Sequence, residues 1–283
     1  MIPDYLKNPS LQSRLGAFSG RTVFFFPTPG NAGDALIQAA TYNLFNRLDI
    51  RFNIMGSDLD VSGQSVIIGG GGNFVPTYNA VKRVIQRVHR QAAELILLPH
   101  TIRGNEDLIQ ELGPNVELYC RDVETYSHVL RHRSRARAEL AHDMSFMVDV
   151  PALASMAEER AAALIAERIK STTLENLLAE TGVRFFFATN DAKQALRLTP
   201  RSNTDPALIL KTSVLPGEAE VGALALIRYI ERAVEVHTNR TQVGIAAASI
   251  GKRVYLYNNA YDQVEGIYRH SLHADFPNSQ FIP

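Results

Sequence analysis

The feature that most constrains this chain is a repeated alternation. Short apolar runs rich in β-branched and aromatic residues recur, several ending at glycine or proline, and most are followed by a stretch with helical spacing. Thr22 to Phe26 (TVFFF) ends in Pro27-Thr28-Pro29-Gly30 and is followed by an amphipathic stretch from Ala35 to Leu48. Arg51 to Met55 and Ser65 to Ile68 (SVII) are further strand candidates, the second ending in Gly69 to Gly72. Tyr78 to Ala93 has helical spacing, Glu94 to Leu98 (ELILL) is a buried strand, Glu106 to Leu112 a short helix and Val116 to Cys120 a strand. Strands alternating with helices predict a parallel sheet covered on both faces, hence an α/β fold.

The second half starts with a long helical stretch, Ala152 to Thr181, followed by strand-like Val183 to Phe187. Leu198 to Pro216 is irregular, Glu218 to Ala233 helical, Val234 to His237 a short strand and Gln242 to Ile250 a helix. Lys252 to Tyr257 is a strand and Gln263 to Leu272 a final helix. The chain has 283 residues, which suits two modest domains. The boundary is expected near Val150-Pro151, giving domains of 1–150 and 151–283.

Composition excludes several function classes. Acids and bases balance at 29 each, so a broad nucleic-acid surface is not expected. The local basic run His128 to Arg137 (HVLRHRSRAR) is either a phosphate or anionic-membrane contact or a solvated helix end and loop. One cysteine, Cys120, leaves no intrachain disulfide or cysteine-rich zinc site, and is read as a buried thiol ahead of a nucleophile. The first residues lack the basic start and apolar core of a signal peptide. No window reaches the roughly 18 apolar residues of a membrane span. A cytoplasmic protein is expected, with a peripheral place at the inner membrane left open. No metal site is expected: H-E-x-x-H is absent and acids near histidine lack ligand spacing. No G-x-S-x-G elbow occurs either.

Candidate chemistry collects at the ends of predicted strands, where open α/β sheets bind ligands. Gly30-Asn31-Ala32-Gly33-Asp34 joins a strand to a helix, so Asn31 and Asp34 either meet a ligand or cap the helix. It is neither a G-x-G-x-x-G fingerprint nor a phosphate-binding P-loop. The loop Gly69 to Asn73 carries more glycine than a turn needs. Gly71, Gly72 and Asn73 there are expected to let a ligand or a neighbouring helix approach bare backbone. His100 and Arg103 follow the ELILL strand, and Arg121-Asp122 the next. Arg121 is expected either in a site or paired with Asp122. Asp143 either caps a turn or lines the cleft. Arg240 stands at the entrance of the small-residue helix GIAAASIG, where a guanidinium favours an anion.

The ordered series GNAGDALI, IIGGGGNF, LPHTIRG, CRDVETYS, HDMSF and TNRTQVGIAAASIGKRVYLYNN resembles the polysaccharide pyruvyl transferase family, from about Phe24 to Leu272. The resemblance implies two Rossmann-like domains facing a cleft, similar to the two-domain glycosyltransferase-B architecture. It implies transfer of pyruvate from phosphoenolpyruvate onto a sugar diol as a ketal, in bacterial exopolysaccharide, capsule or cell-wall glycan synthesis. Phosphoenolpyruvate is then the co-substrate, with no cofactor, and a glycan or lipid-linked saccharide the acceptor. Asp34 falls on the sugar or catalytic side. Arg121, Arg240, Asn31, Gly71, Gly72 and Asn73 fall on the donor side, and His100 at a cleft position.

Two departures bear on catalysis. The family's R-x-H is here Arg240-Thr241-Gln242, and of its R-x-D-x-E the stretch Thr189 to Lys193 keeps only Asp191. Glutamine gives no proton as an acid, so the proton for the enol carbon is expected from His100 first and His237 second. The alternatives are a nucleotide-sugar glycosyltransferase and a catalytically weak glycan-binding homologue.

Overall fold

The computed structural model describes residues 2–56, 60–169, 184–187, 205–259 and 261–283, with 184–187 as backbone only. Its contacts divide into two compact units. An N-terminal unit comprises Pro3–Pro29 and Ala40–Met147, and a C-terminal unit Gly30–Ala39 with Val148–Pro283. The ten residues that carry the GNAGD loop therefore group with the second half of the chain, where a simple division at Val150 was expected.

The N-terminal unit opens with a single 3-10 turn, Asp4–Lys7, and helix α1, Pro9–Gly16. Then come β1 (Thr22–Phe26), α2 (Ala32–Arg47, begun in the other unit), β2 (Arg51–Ile54), β3 (Ser65–Ile68) and β4 (Gly71–Phe74). After these follow α3 (Ala80–Val88), β5 (Glu94–Ile102), α4 (Glu106–Glu111), β6 (Val116–Cys120), α5 (Val123–Arg131) and β7 (Arg137–Leu140). Every described pairing is parallel, in the order β2-β1-β3-β5-β6-β7, with β4 added on β5. All four residues of β3 are buried, as the continuous apolar run SVII predicts for a strand covered on both faces. Helix α3 places Val81, Val84, Ile85 and Val88 on its buried side, a 3-4 spacing that forms one apolar stripe. Phe25 packs edge-on against Phe45, Tyr42 and Phe52 at centroid distances of 5.1, 5.7 and 5.9 Å. Such ring pairs add roughly 0.5–1.5 kcal/mol each beyond burial.

Strand order reverses between β1 and β3. That is the switch point of a doubly wound sheet, where the crevice outside the strand ends forms. The glycine run after β3 does not stay a loop. Gly71 to Phe74 forms β4, with Gly71 opposite His100 and Phe74 opposite Ile102. LPHTI, expected beyond the strand, is part of it, since β5 runs through Ile102.

The C-terminal unit holds α6 (Val150–Arg168), β8 (Arg184–Phe187), α7 (Pro206–Ile209), α8 (Glu218–Glu231), β9 (Glu235–Thr238), α9 (Thr241–Ser249) and β10 (Arg253–Tyr257). α10 (Gln263–Ile267) continues into a π turn, Tyr268–Leu272, before β11 (Ser279–Ile282). Its sheet is parallel, in the order β11-β10-β9-β8. Asp149 starts α6 by accepting the Ala152 N–H, with Pro151 inside the first turn, an arrangement that satisfies an otherwise orphaned donor. Helix α8 is apolar over most of its surface and packs along α6. The expected helix to Thr181 ends as α6 at Arg168, and its remainder from 170 lies outside the described residues, as does the Thr189 to Lys193 segment. Among the described residues no helix is long and apolar enough to cross a membrane.

Candidate functional site

In the N-terminal unit the strand ends around the switch point are tied together by polar side chains. The Thr28 hydroxyl donates to the Gly69 carbonyl at 2.7 Å, joining the end of β1 to that of β3. Asn73 donates its side-chain amide to the Pro29 carbonyl at 2.9 Å and its backbone N–H to Nε2 of His100 at 3.1 Å. His100 is fully buried. Burial first, and then the nearby Arg121 charge, lower its pKa to about 3. Its Nδ1 faces the Gly69 carbonyl without a well-formed hydrogen bond. In this state the imidazole is neutral at pH 7, and its Nε2 accepts from backbone. The expectation that His100 supplies a proton is corrected to that extent: it has none to give from Nε2 and holds the Gly71–Asn73 backbone instead.

Arg121 and Asp122 do not pair with each other. Arg121, 1% exposed, donates to Asp143 at 2.6 Å and to the Thr101 hydroxyl at 2.8 Å. Asp122 instead takes Arg103 at 3.0 Å and caps α5 by accepting the Thr125 N–H at 2.7 Å. Asp143 also accepts the Ser145 N–H, so it caps a turn and neutralises an arginine at once. Two guanidiniums and two carboxylates thus balance within the unit, and Arg121 is enclosed rather than open to a donor. The Cys120 thiol is buried, and desolvation pushes its pKa up, which fits a structural thiol.

The C-terminal unit carries the other candidates. Asn31 precedes α2 and accepts the Gly33 N–H on its side chain at 2.8 Å, while the Asp34 carboxylate accepts the Asn31 N–H at 2.8 Å. This reciprocal pair has the form of a capping box, so the capping role holds for both residues. Asp34 is folded over Gly30 so tightly that a Cβ there would lie 1.7 Å from its Oδ2. Gly33 meets Gln242, whose Cβ would be 2.9 Å from any Cβ at position 33. The starts of α2 and α9 therefore touch. Arg240 is the N-cap residue of α9 and gives it no side-chain cap. Its guanidinium reaches one oxygen of Asp205, at 2.6 and 3.2 Å, with the arginine side chain 22% exposed. On β9, His237 stacks on Tyr255 at 4.5 Å, and its nitrogens meet the Tyr257 hydroxyl at 2.9 Å and Glu235 at 3.2 Å.

No family model matches the chain, and no curated protein matches it. Solved structures do match it, one of them at nearly full length. That one is the crystal structure of a functional uncharacterized protein from Klebsiella pneumoniae subsp. pneumoniae NTUH-K2044, 23% identical, with 98% of each chain covered and a TM-score of 0.76. At that identity the likeness shows the fold alone.

Sequence reasoning missed one cluster. Glu106, His128 and His132 bring potential ligand atoms within 4.8 Å of one another. The signal was present in HVLRH, two histidines one helical turn apart on α5. The acid, 22 positions earlier, becomes visible only once α4 is placed beside α5.

Proposed function

We propose that this chain is a pyruvyl transferase that moves pyruvate from phosphoenolpyruvate onto a sugar diol, in the synthesis of a bacterial exopolysaccharide, capsule or cell-wall glycan in the cytoplasm. The observation that carries this reading is the meeting of two helix starts at Gly33 and Gln242 with Arg240 at the second. Helix N-termini with an adjacent guanidinium favour a small anion bearing carboxylate and phosphate. Two α/β units, each with a parallel sheet, support this reading.

In the reaction, a proton adds to the methylene carbon of the enol phosphate and positive charge develops at the carbon bearing the phosphate. One sugar hydroxyl adds there, the second displaces phosphate, and both hydroxyl protons leave. The products are the cyclic ketal and inorganic phosphate. With His100 neutral and buried, the proton is assigned to His237, which has Glu235 beside it to return one. Asp34 stays on the acceptor side.

The test is phosphate release from phosphoenolpyruvate with a panel of saccharide and lipid-linked acceptors. Wild-type turnover is expected, with His237→Gln lowering kcat by about 10²–10⁴-fold, the usual contribution of a general acid, and His100→Gln lowering it less. Full activity in a folded His237→Gln variant removes that assignment. No turnover with any acceptor sinks the transferase reading. It leaves the non-catalytic, glycan-binding homologue, which Gln242 at the family's histidine position favours.

A further inference from the structure

We propose that Glu106, His128 and His132 form a site for a divalent transition-metal ion of the zinc class. It lies in the N-terminal unit, on α4 and α5, and it stands independently of the transferase reading.

The cluster has the chemistry and the support that such a site needs. Two histidines at i and i+4 share one helix face, and His132 closes α5 as its C-cap residue. Their rings meet edge to face with centroids 4.7 Å apart. His128 is 92% buried, being 8% exposed, and its Nε2 lies 2.9 Å from the Gly104 carbonyl. A carbonyl only accepts, so Nε2 carries the proton and Nδ1 keeps the lone pair for an ion. Ligating histidines commonly donate their second nitrogen in this way, which fixes tautomer and ring orientation.

The same hydrogen bond locates the acid. Gly104 and Asn105 both have positive φ, 61° and 58°, and together make the tight turn that starts α4 at Glu106. Gly104 has no room for a side chain, since a Cβ would lie 2.7 Å from the Pro76 ring. The turn is held from two sides, by Pro76 and by His128, so Glu106 is presented to the histidines by fixed backbone.

Two nearby arginines are engaged elsewhere. Arg103 binds Asp122 and Arg90 binds Glu111. Among the described residues the Glu106 carboxylate has neither an ion pair nor a side-chain hydrogen bond. Zinc ligands at about 2.0–2.1 Å sit roughly 3.3–3.5 Å apart in a tetrahedron. Closing the present spacing requires side-chain rotation, which falls to exposed Glu106 and half-buried His132. Two imidazoles and one carboxylate are a ligand set for zinc, cobalt or nickel rather than for calcium or magnesium. The fourth position is left to water. A bound ion would clamp the α4 turn to the end of α5.

The experiment uses the full-length chain, stripped with a chelator and titrated with Co²⁺ followed by Zn²⁺. One Co²⁺ per chain is expected, with visible absorption of four-coordinate geometry that Zn²⁺ displaces and with a higher melting temperature. His132→Ala and Glu106→Gln, both outside the core, are expected to keep the metal-free melting temperature. Their affinity is expected to fall by at least about 100-fold, beyond what loss of a supporting partner alone causes. Wild-type binding that survives unchanged in both variants overturns the proposal, because the ion then sits elsewhere. So does wild-type protein with no saturable Co²⁺ signal at micromolar concentration.

Discussion

Neutralising Asp143 without changing its shape is the sharpest test of what Arg121 does. In Asp143→Asn the guanidinium keeps its hydrogen bond to Thr101 but loses the charge 2.6 Å away. Arg121 is 1% exposed and Asp143 is fully buried, so water cannot replace the lost charge. Breaking a buried ion pair by removing one partner costs about 3–5 kcal/mol. For a unit of this size each kcal/mol moves the melting temperature by roughly 2–4 °C, so a fall on the order of 10 °C is expected.

The double variant Arg121→Met/Asp143→Leu separates charge from packing. It removes both charges, and replacing a buried pair by apolar side chains is often neutral. The Ser145 N–H loses its acceptor on Asp143, which costs about 1–3 kcal/mol. The double variant should therefore be more stable than Asp143→Asn, although it changes more atoms. Urea unfolding followed by far-ultraviolet circular dichroism measures all three proteins. If Asp143→Asn unfolds within about 1 kcal/mol of wild type, the cost assigned to an uncompensated buried charge is absent. Arg121 is then solvated and open, as a donor-binding arginine would be.

Two further outcomes are expected. His100 has a folded pKa near 3 against an ordinary 6.5; between those values only the unfolded chain binds the proton, so its contribution lowers stability by about 1.4 kcal/mol per pH unit as pH falls below about 6.5. His89 is shifted the same way, by burial first and then by Arg90, so the check is a shallower slope in His100→Gln than in wild type, and equal slopes refute it. Arg240→Ala removes a charge-assisted contact worth roughly 1.5–3 kcal/mol and should raise the donor KM about 10–150-fold. Unchanged steady-state phosphate release in that variant takes Arg240 out of the donor site.

The sequence made legible those parts of the fold whose residues carry their environment with them. β3 and the first half of β5 are unbroken apolar runs, and a strand buried on both faces permits little else. β7 escaped notice because RAEL is half exposed and charged, the composition that protects a sheet edge. Proline at position 99 argued for ending β5, and it does disturb the ladder: the register with β6 shifts between Leu97 and His100. The strand resumes because the residues from Leu95 to Ile102 are buried and the sheet continues on both sides. The pairing of Arg121 with Asp143 depends on that register. Cys120 lies opposite His100 on one side and Leu140 on the other, so the residues just past β6 and β7 come together across 22 positions of sequence. Asp122, the neighbour in sequence, points back into its own helix as a cap. Local chemistry alone cannot choose between the two carboxylates.

The two arginines that the family resemblance put on the donor side differ in what replacing their partners would require. Arg121 sits behind fully buried Asp143, and an incoming anion would have to displace a carboxylate that also holds the Ser145 turn. Arg240 is 22% exposed and grips a single oxygen of Asp205, whose other oxygen has no hydrogen-bond partner among the described residues. Exchanging that carboxylate for the carboxylate or phosphate of an incoming anion would keep the guanidinium paired throughout. Arg240 also stands where the backbone amides of α9 add to the attraction for an anion. Arg121 holds the strand ends of its unit in register. Arg240 is the more exposed of the two, and the proposed anion binding should depend on it.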